Sequence, residues 1–249
     1  MKIALCISGQ PRGIPLTCEF LKNSVIVPNG ITDIFVHTWY HPSIDNVSFD
    51  SAQPARSNTV GKWIPNMDKI IQTTLKPTIM LTEAPKSFEE FAHLQNRDSA
   101  IQTSLASMYY SAYKANELKS NYEASNNFKY DVVIKTRIDL NYYSPVTVKD
   151  LIDEDLDKAV YVAEMHQYMR QSDAYPTKSG WAYSSMSDTF VMGNSANMDV
   201  VASIYKNFAN HHEEIWPYVY GEAYMGYVVR GLHKIPVKMK NISYIIHRQ

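Results

Sequence analysis

The chain has 249 residues, 45% of them hydrophobic and 20% charged, which suits one sizeable α/β domain spanning residues 1–249. Its net charge of −1 gives no positive field to draw in nucleic acid or an anionic membrane, so any anionic ligand must be held by local groups. Cys6 and Cys18 are its two cysteines, too few for a disulfide framework or a thiolate zinc site.

Lys2 to Ile7 reads as a buried strand ending at Gly9. Ile3 to Ile7 is too short for the apolar region of a signal peptide, and no run is long enough to span a bilayer. The expectation is therefore a cytoplasmic protein without a transmembrane segment. Thr17 to Val27 reads as a helix closed by Pro28 and Gly30. Asp33 to His37 is a second strand, and the strand–helix–strand order predicts a parallel sheet. Residues 40–62 form a long polar loop. A short helix at Met67 to Leu75 and a strand at Thr78 to Leu81 come next.

The clearest helix lies within Ser99 to Tyr122, where Leu105, Met108, Tyr109, Ala112 and Ala115 keep helical spacing. Tyr130 to Thr136 is a strong buried strand. Ala159 to Ala163 and Thr189 to Met192 are further strands, separated by a polar, aromatic loop over residues 164–187. Ser195 is a plausible N-cap for a helix reaching Phe208. Gly221 to Val229 reads as a helix and Ile235 to Met239 as the last strand, followed by a polar, basic tail. No repeat or linker divides the chain.

Several places carry chemistry. Ser8, Gly9, Gln10 and Arg12 follow the first strand, where α/β sheets bind ligands. Gly9 permits close backbone approach, and Arg12 offers paired bonds to a phosphate; a plain turn with a solvent-facing Arg is the other reading. His37 and Trp39 close the second strand, either against a base or sugar or simply as packing. Lys135, Arg137 and Asp139 end a hydrophobic strand and share one side if the chain stays extended. Such a set suits a nucleotide diphosphate, with Asp139 holding Mg²⁺ or Mn²⁺ or the cations acting alone. The alternative is a structural Arg137–Asp139 ion pair.

Asp188 and Glu222 are candidate general bases; as rivals, Asp188 caps a strand and Glu222 favours a helix dipole. His247 is a second candidate metal ligand, or a tail residue without a role. His211, His212, Glu213 and Glu214 are adjacent on a helix and do not face one site. The 18 tyrosines suit sugar binding, and equally a wet core edge or an interface.

Taken together, KIALCISGQPRG, DIFVHTW, SMYYSAYKANEL, YDVVIKTRIDL and SDTFVMGNSANM, in that order over roughly the first 200 residues, give a chain that resembles a group of bacterial and viral GT-A-type glycosyltransferases. The resemblance implies a Rossmann-like, mostly parallel sheet flanked by helices. It also implies transfer of a hexosyl or pentosyl group from a nucleotide-sugar to a glycan or lipid-linked acceptor, as in polysaccharide biosynthesis. By position, Arg137-Ile138-Asp139 replaces an Asp-x-Asp metal motif, which puts an Mn²⁺ or Mg²⁺ cofactor in question. Ser8, Gly9, Gln10 and Arg12 fall near the nucleotide and Asp188 near the acceptor. The rivals are a sugar nucleotidyltransferase and a noncatalytic carbohydrate-binding protein of the same fold.

Overall fold

The computed structural model of the chain describes residues 1–41, 65–88, 99–164, 175–176, 182–183, 186–208 and 221–246. Its centre is a seven-stranded sheet. β1 (Ile3–Gly9) is followed by helix α1 (Leu16–Leu21), a π-helical stretch Lys22–Ile26 and the short α2 (Val27–Asn29). Pro28 does not close this unit as expected. It sits at the start of α2, where its missing N–H costs nothing. Gly30, with φ of 59°, ends the unit instead.

β2 (Asp33–Trp39), α3 (Met67–Leu75), β3 (Ile79–Glu83), the long α4 (Ser99–Ser125) and β4 (Val132–Arg137) complete the first half. β5 (Leu140–Tyr142) and α5 (Val148–Leu151) precede β6 (Val160–Ala163). β7 (Tyr175–Pro176) and β8 (Ala182–Tyr183) pair antiparallel inside the segment read as loop. β9 (Phe190–Gly193) leads into α6 (Ser195–Ala202). Its N-cap is Asn194 rather than Ser195: the Asn194 side chain accepts the Asn197 amide at 2.8 Å. α6 stops at Ala202, and residues 204–208 are helical again after a turn. α7 (Gly221–Gly226) continues as a π-helical Tyr227–Leu232, before β10 (Val237–Lys240) and β11 (Tyr244–Ile246).

The strand order is β3-β2-β1-β4-β9-β6-β10. The pairs β3–β2, β2–β1, β1–β4 and β6–β10 are parallel, and β9 alone runs against its neighbours β4 and β6. The architecture is thus α/β with a mostly parallel sheet. Strand order reverses between β1 and β4, and the crevice outside their carboxyl ends is where open α/β sheets take ligands. Because β9 is antiparallel, its first residue Phe190 lies opposite Thr136 near the end of β4. Residues just before β9 therefore arrive at the same edge.

Alternation along the strands feeds two cores. Ala4, Cys6, Phe35, Val133, Val162 and Val191 pack toward α4, α6 and α7. Leu5, Ile7, Ile34, Val36, Ile134 and Met192 pack toward α1, α3 and the β5–β11 ribbon. Polar side chains fix α4 to α6. Lys119, fully buried, lies 2.8 Å from both Ser195 Oγ and Asp199 Oδ1 and 3.3 Å from Glu123 Oε2. Glu123 also accepts from Ser195 Oγ, Lys129 Nζ and the Tyr130 amide. Burial alone would raise the Glu123 carboxyl, but these donors hold it below its ordinary value.

Many tyrosines are packing groups. Tyr110 stacks on Trp39 with ring centroids 5.5 Å apart, and Tyr109, Tyr224 and Phe208 contact one another edge-on or tilted. Among the described residues no helix is long and apolar enough to cross a membrane.

Candidate functional site

β1 delivers Ser8 and Gly9 to the crevice. Gly9 has φ of 116°, a conformation other residues rarely adopt, and open space lies where a Cβ would project. Its N–H donates to Ser111 Oγ at 2.8 Å, and its carbonyl accepts from Thr38 Oγ1 at 2.9 Å. The backbone turns here through the Arg12 amide, which donates to the Gln10 carbonyl at 2.8 Å. The Arg12 guanidinium bonds the Gln10 side chain.

β4 supplies Lys135 and Arg137 on the α4 side. The strand does not continue to Asp139, as the extended reading required. The chain turns at Ile138, whose amide donates to the Ser8 carbonyl at 3.0 Å. The turn folds Asp139 back onto Arg137, which grips it bidentately, Nε to Oδ1 at 2.9 Å and a terminal nitrogen to Oδ2 at 2.7 Å. Arg12 adds a second guanidinium 3.6 Å from Asp139 Oδ2. Asp139 is buried, so the pair is fixed rather than solvated. The Arg137–Asp139 ion pair, the structural alternative drawn from the sequence, is thus present, and it stands at the carboxyl end of β4.

Lys135 is buried, and its ammonium donates to the Asp188 carbonyl. Burial brings it down to about 8, opposed by the Asp188 charge and aided by Arg137. Asp188 comes from the residues before β9. Glu222 approaches from the start of α7, where its carbonyl accepts the Met186 amide at 3.1 Å. Burial and the neighbouring Asp188 raise the Glu222 carboxyl to about 7, against the pull of Arg137. Three cations and three carboxylates from β1, β4, β9 and α7 therefore gather at one edge.

Tyr244 joins them. It lies within electrostatic reach of Arg137, and its hydroxyl accepts from Thr189 Oγ1 at 2.5 Å. β11 pairs with β5 immediately after Asp139, Ile246 opposite Leu140. The polar tail expected after the last strand is thus built into the site's wall. His247 lies outside the described residues, as do residues 209–220.

His37 and Trp39 are placed differently. Both side chains are buried; Trp39 is stacked among Tyr110 and Phe88, and His37 has both ring nitrogens bonded. Packing occupies them, and neither ring faces the crevice as a free contact. The helix reading missed Ser111, Lys119 and Glu123. Each is a polar residue on or beside the apolar stripe of α4, and a polar group on such a stripe is a signal of burial with a partner.

Among the described residues no group of three His, Cys, Asp or Glu side chains stands ready for a metal. Asp139 has each oxygen bonded to Arg137, with Arg12 3.6 Å away, so a divalent ion there would share the carboxylate with two guanidiniums. A cleft of about 400 Å³ opens at the opposite end of the strands, beside Lys2, Asp33, Tyr122 and Phe128. It lacks the converging charges of the β1–β4 edge.

No protein-family model matches the chain, and no curated protein matches it.

Proposed function

We propose that the protein is a glycosyltransferase of GT-A type, moving a sugar from a nucleotide-sugar to an acceptor hydroxyl of a glycan or glycolipid. The carrying observation is the cluster of Arg12, Lys135 and Arg137 around buried Asp139 at the point where strand order reverses, with the carboxylates of Asp188 and Glu222 beside it. The motif resemblance supports the same reading.

In this mechanism the acceptor oxygen attacks the anomeric carbon as the bond to the diphosphate oxygen breaks. The bonding pair leaves with the nucleoside diphosphate. Arg12, Lys135 and Arg137 stabilise that developing charge, and Asp139 positions the Arg137 fork. The hydroxyl proton passes to a carboxylate. Glu222 is favoured over Asp188, because a base held near 7 is poised for proton transfer at neutral pH. No step runs through a metal.

The test is a panel of nucleotide-sugars assayed for release of nucleoside diphosphate, with and without Mn²⁺. Turnover of one donor is expected. Pyrophosphate release from a nucleoside triphosphate would instead make the protein a nucleotidyltransferase, and glycan binding without any turnover would make it a carbohydrate-binding protein.

A further inference from the structure

A chain of hydrogen bonds runs from the crevice into the sheet. Glu83, at the end of edge strand β3, accepts from His37 Nε2 at 2.8 Å. A carboxylate accepts only, so Nε2 carries the ring proton and Nδ1 is bare. Ser111 Oγ lies 2.8 Å from Nδ1 and donates to it, leaving a lone pair for the Gly9 amide, also at 2.8 Å. Thr38 holds the Gly9 carbonyl from the other side. Glu83 is itself steadied by Tyr110 at 3.3 Å and Lys86 at 3.8 Å.

The order Glu–His–Ser matches that of a hydrolytic triad, but the chemistry does not. Ser111 and His37 are fully buried, and Ser111 Oγ is committed to Gly9, so no substrate carbonyl can reach it. What the chain does reach is a glycine in the left-handed region whose outer side is open. Removing Ser111 would leave the half-buried Gly9 amide without its side-chain acceptor at the point where β1 turns toward Arg12.

We propose that Glu83, His37 and Ser111 are positioning residues, a relay that fixes the Gly9 backbone and so pre-shapes the crevice for the diphosphate of a nucleotide. The ligand half of this inference rests on the glycosyltransferase reading; the relay itself does not. A pre-shaped loop avoids the ordering cost that a loose one pays on binding.

The experiment compares wild type, Ser111→Ala, Glu83→Ala and Glu83→Gln, with Ile71→Val in the opposite core as a control for general destabilisation. Gly9 amide exchange is followed by NMR in the free proteins, and UDP, GDP, CMP and dTDP binding by calorimetry. Ser111→Ala is expected to speed Gly9 exchange by at least about tenfold and to weaken the bound nucleotide by about 5- to 30-fold. Glu83→Ala shifts both in the same direction, Glu83→Gln restores both because its amide oxygen still accepts, and Ile71→Val moves neither.

Unchanged Gly9 exchange in Ser111→Ala would overturn the relay. Faster exchange with unchanged affinity would overturn its role in binding. If wild type binds no nucleotide, the ligand half falls with the functional reading, while faster Gly9 exchange still upholds the relay.

Discussion

His37→Gln isolates one titrating group in the core. Burial holds the His37 imidazole down to about 4, against the favourable pull of Glu83 and with the charges of Lys114 and Lys86 adding to the effect. In the unfolded chain it titrates at its ordinary value near 6.5. Between those two values the unfolded state binds more protons, so the contribution is present above pH 6.5 and is lost as pH falls toward and through 4. The gap corresponds to about 3 kcal/mol at pH 4. Glutamine offers a donor for Glu83 and an acceptor for Ser111 but gains no proton. Urea denaturation at pH 7, 6, 5 and 4 should therefore show wild type losing about 3 kcal/mol more than the variant across the window. Parallel stability curves would refute the reasoning and mean that His37 is not held neutral by its surroundings.

Three further outcomes follow from the same geometry. Lys119→Met removes the buried ammonium shared by Ser195, Asp199 and Glu123, while Lys129 still pairs Glu123, and should cost about 1–3 kcal/mol in denaturant unfolding. Gly9→Ala meets no clash but must hold φ of 116°, so its thermal stability should fall by the equivalent of about 1–3 kcal/mol, from backbone strain alone. Glu222→Gln should lower turnover by about 10²–10⁴-fold and abolish the rise in rate as pH passes upward through about 7, where the wild-type carboxyl loses its proton; a retained limb in the pH–rate profile would rule Glu222 out as the base.

The sheet was legible because its strands are short apolar runs, several closed by Gly or a charged residue (Gly9, Glu83, Arg137, Gly193, Lys240), and period and punctuation suffice for those. The ends were less so. β1 and β2 run two residues further than the apolar pattern, since Ser8, Gly9, Thr38 and Trp39 are paired by neighbouring strands rather than by their own hydrophobicity. β5 and β11 carry no strand signal of their own; each is three residues long and forms against a partner about a hundred residues away. The cations of the site were readable because charge closing a buried strand is unusual. That Arg137 would clasp Asp139 depended on a turn at Ile138, which is set by the Ser8 carbonyl across the sheet. Ser111 and Glu83 matter through long-range hydrogen bonds that no local pattern encodes. His37 and Trp39 stood at a strand end in the sequence, yet α4 covers them.

The most direct test of the central claim is calorimetric binding of UDP, GDP, CMP and dTDP to wild type, Arg137→Met and Asp139→Ala, each with and without Mn²⁺. One nucleotide is expected to bind wild type without requiring the metal, and Arg137→Met is expected to lose most of that affinity. Failure of all four to bind, or equal binding by Arg137→Met, would contradict a diphosphate site built from the cations of β1 and β4.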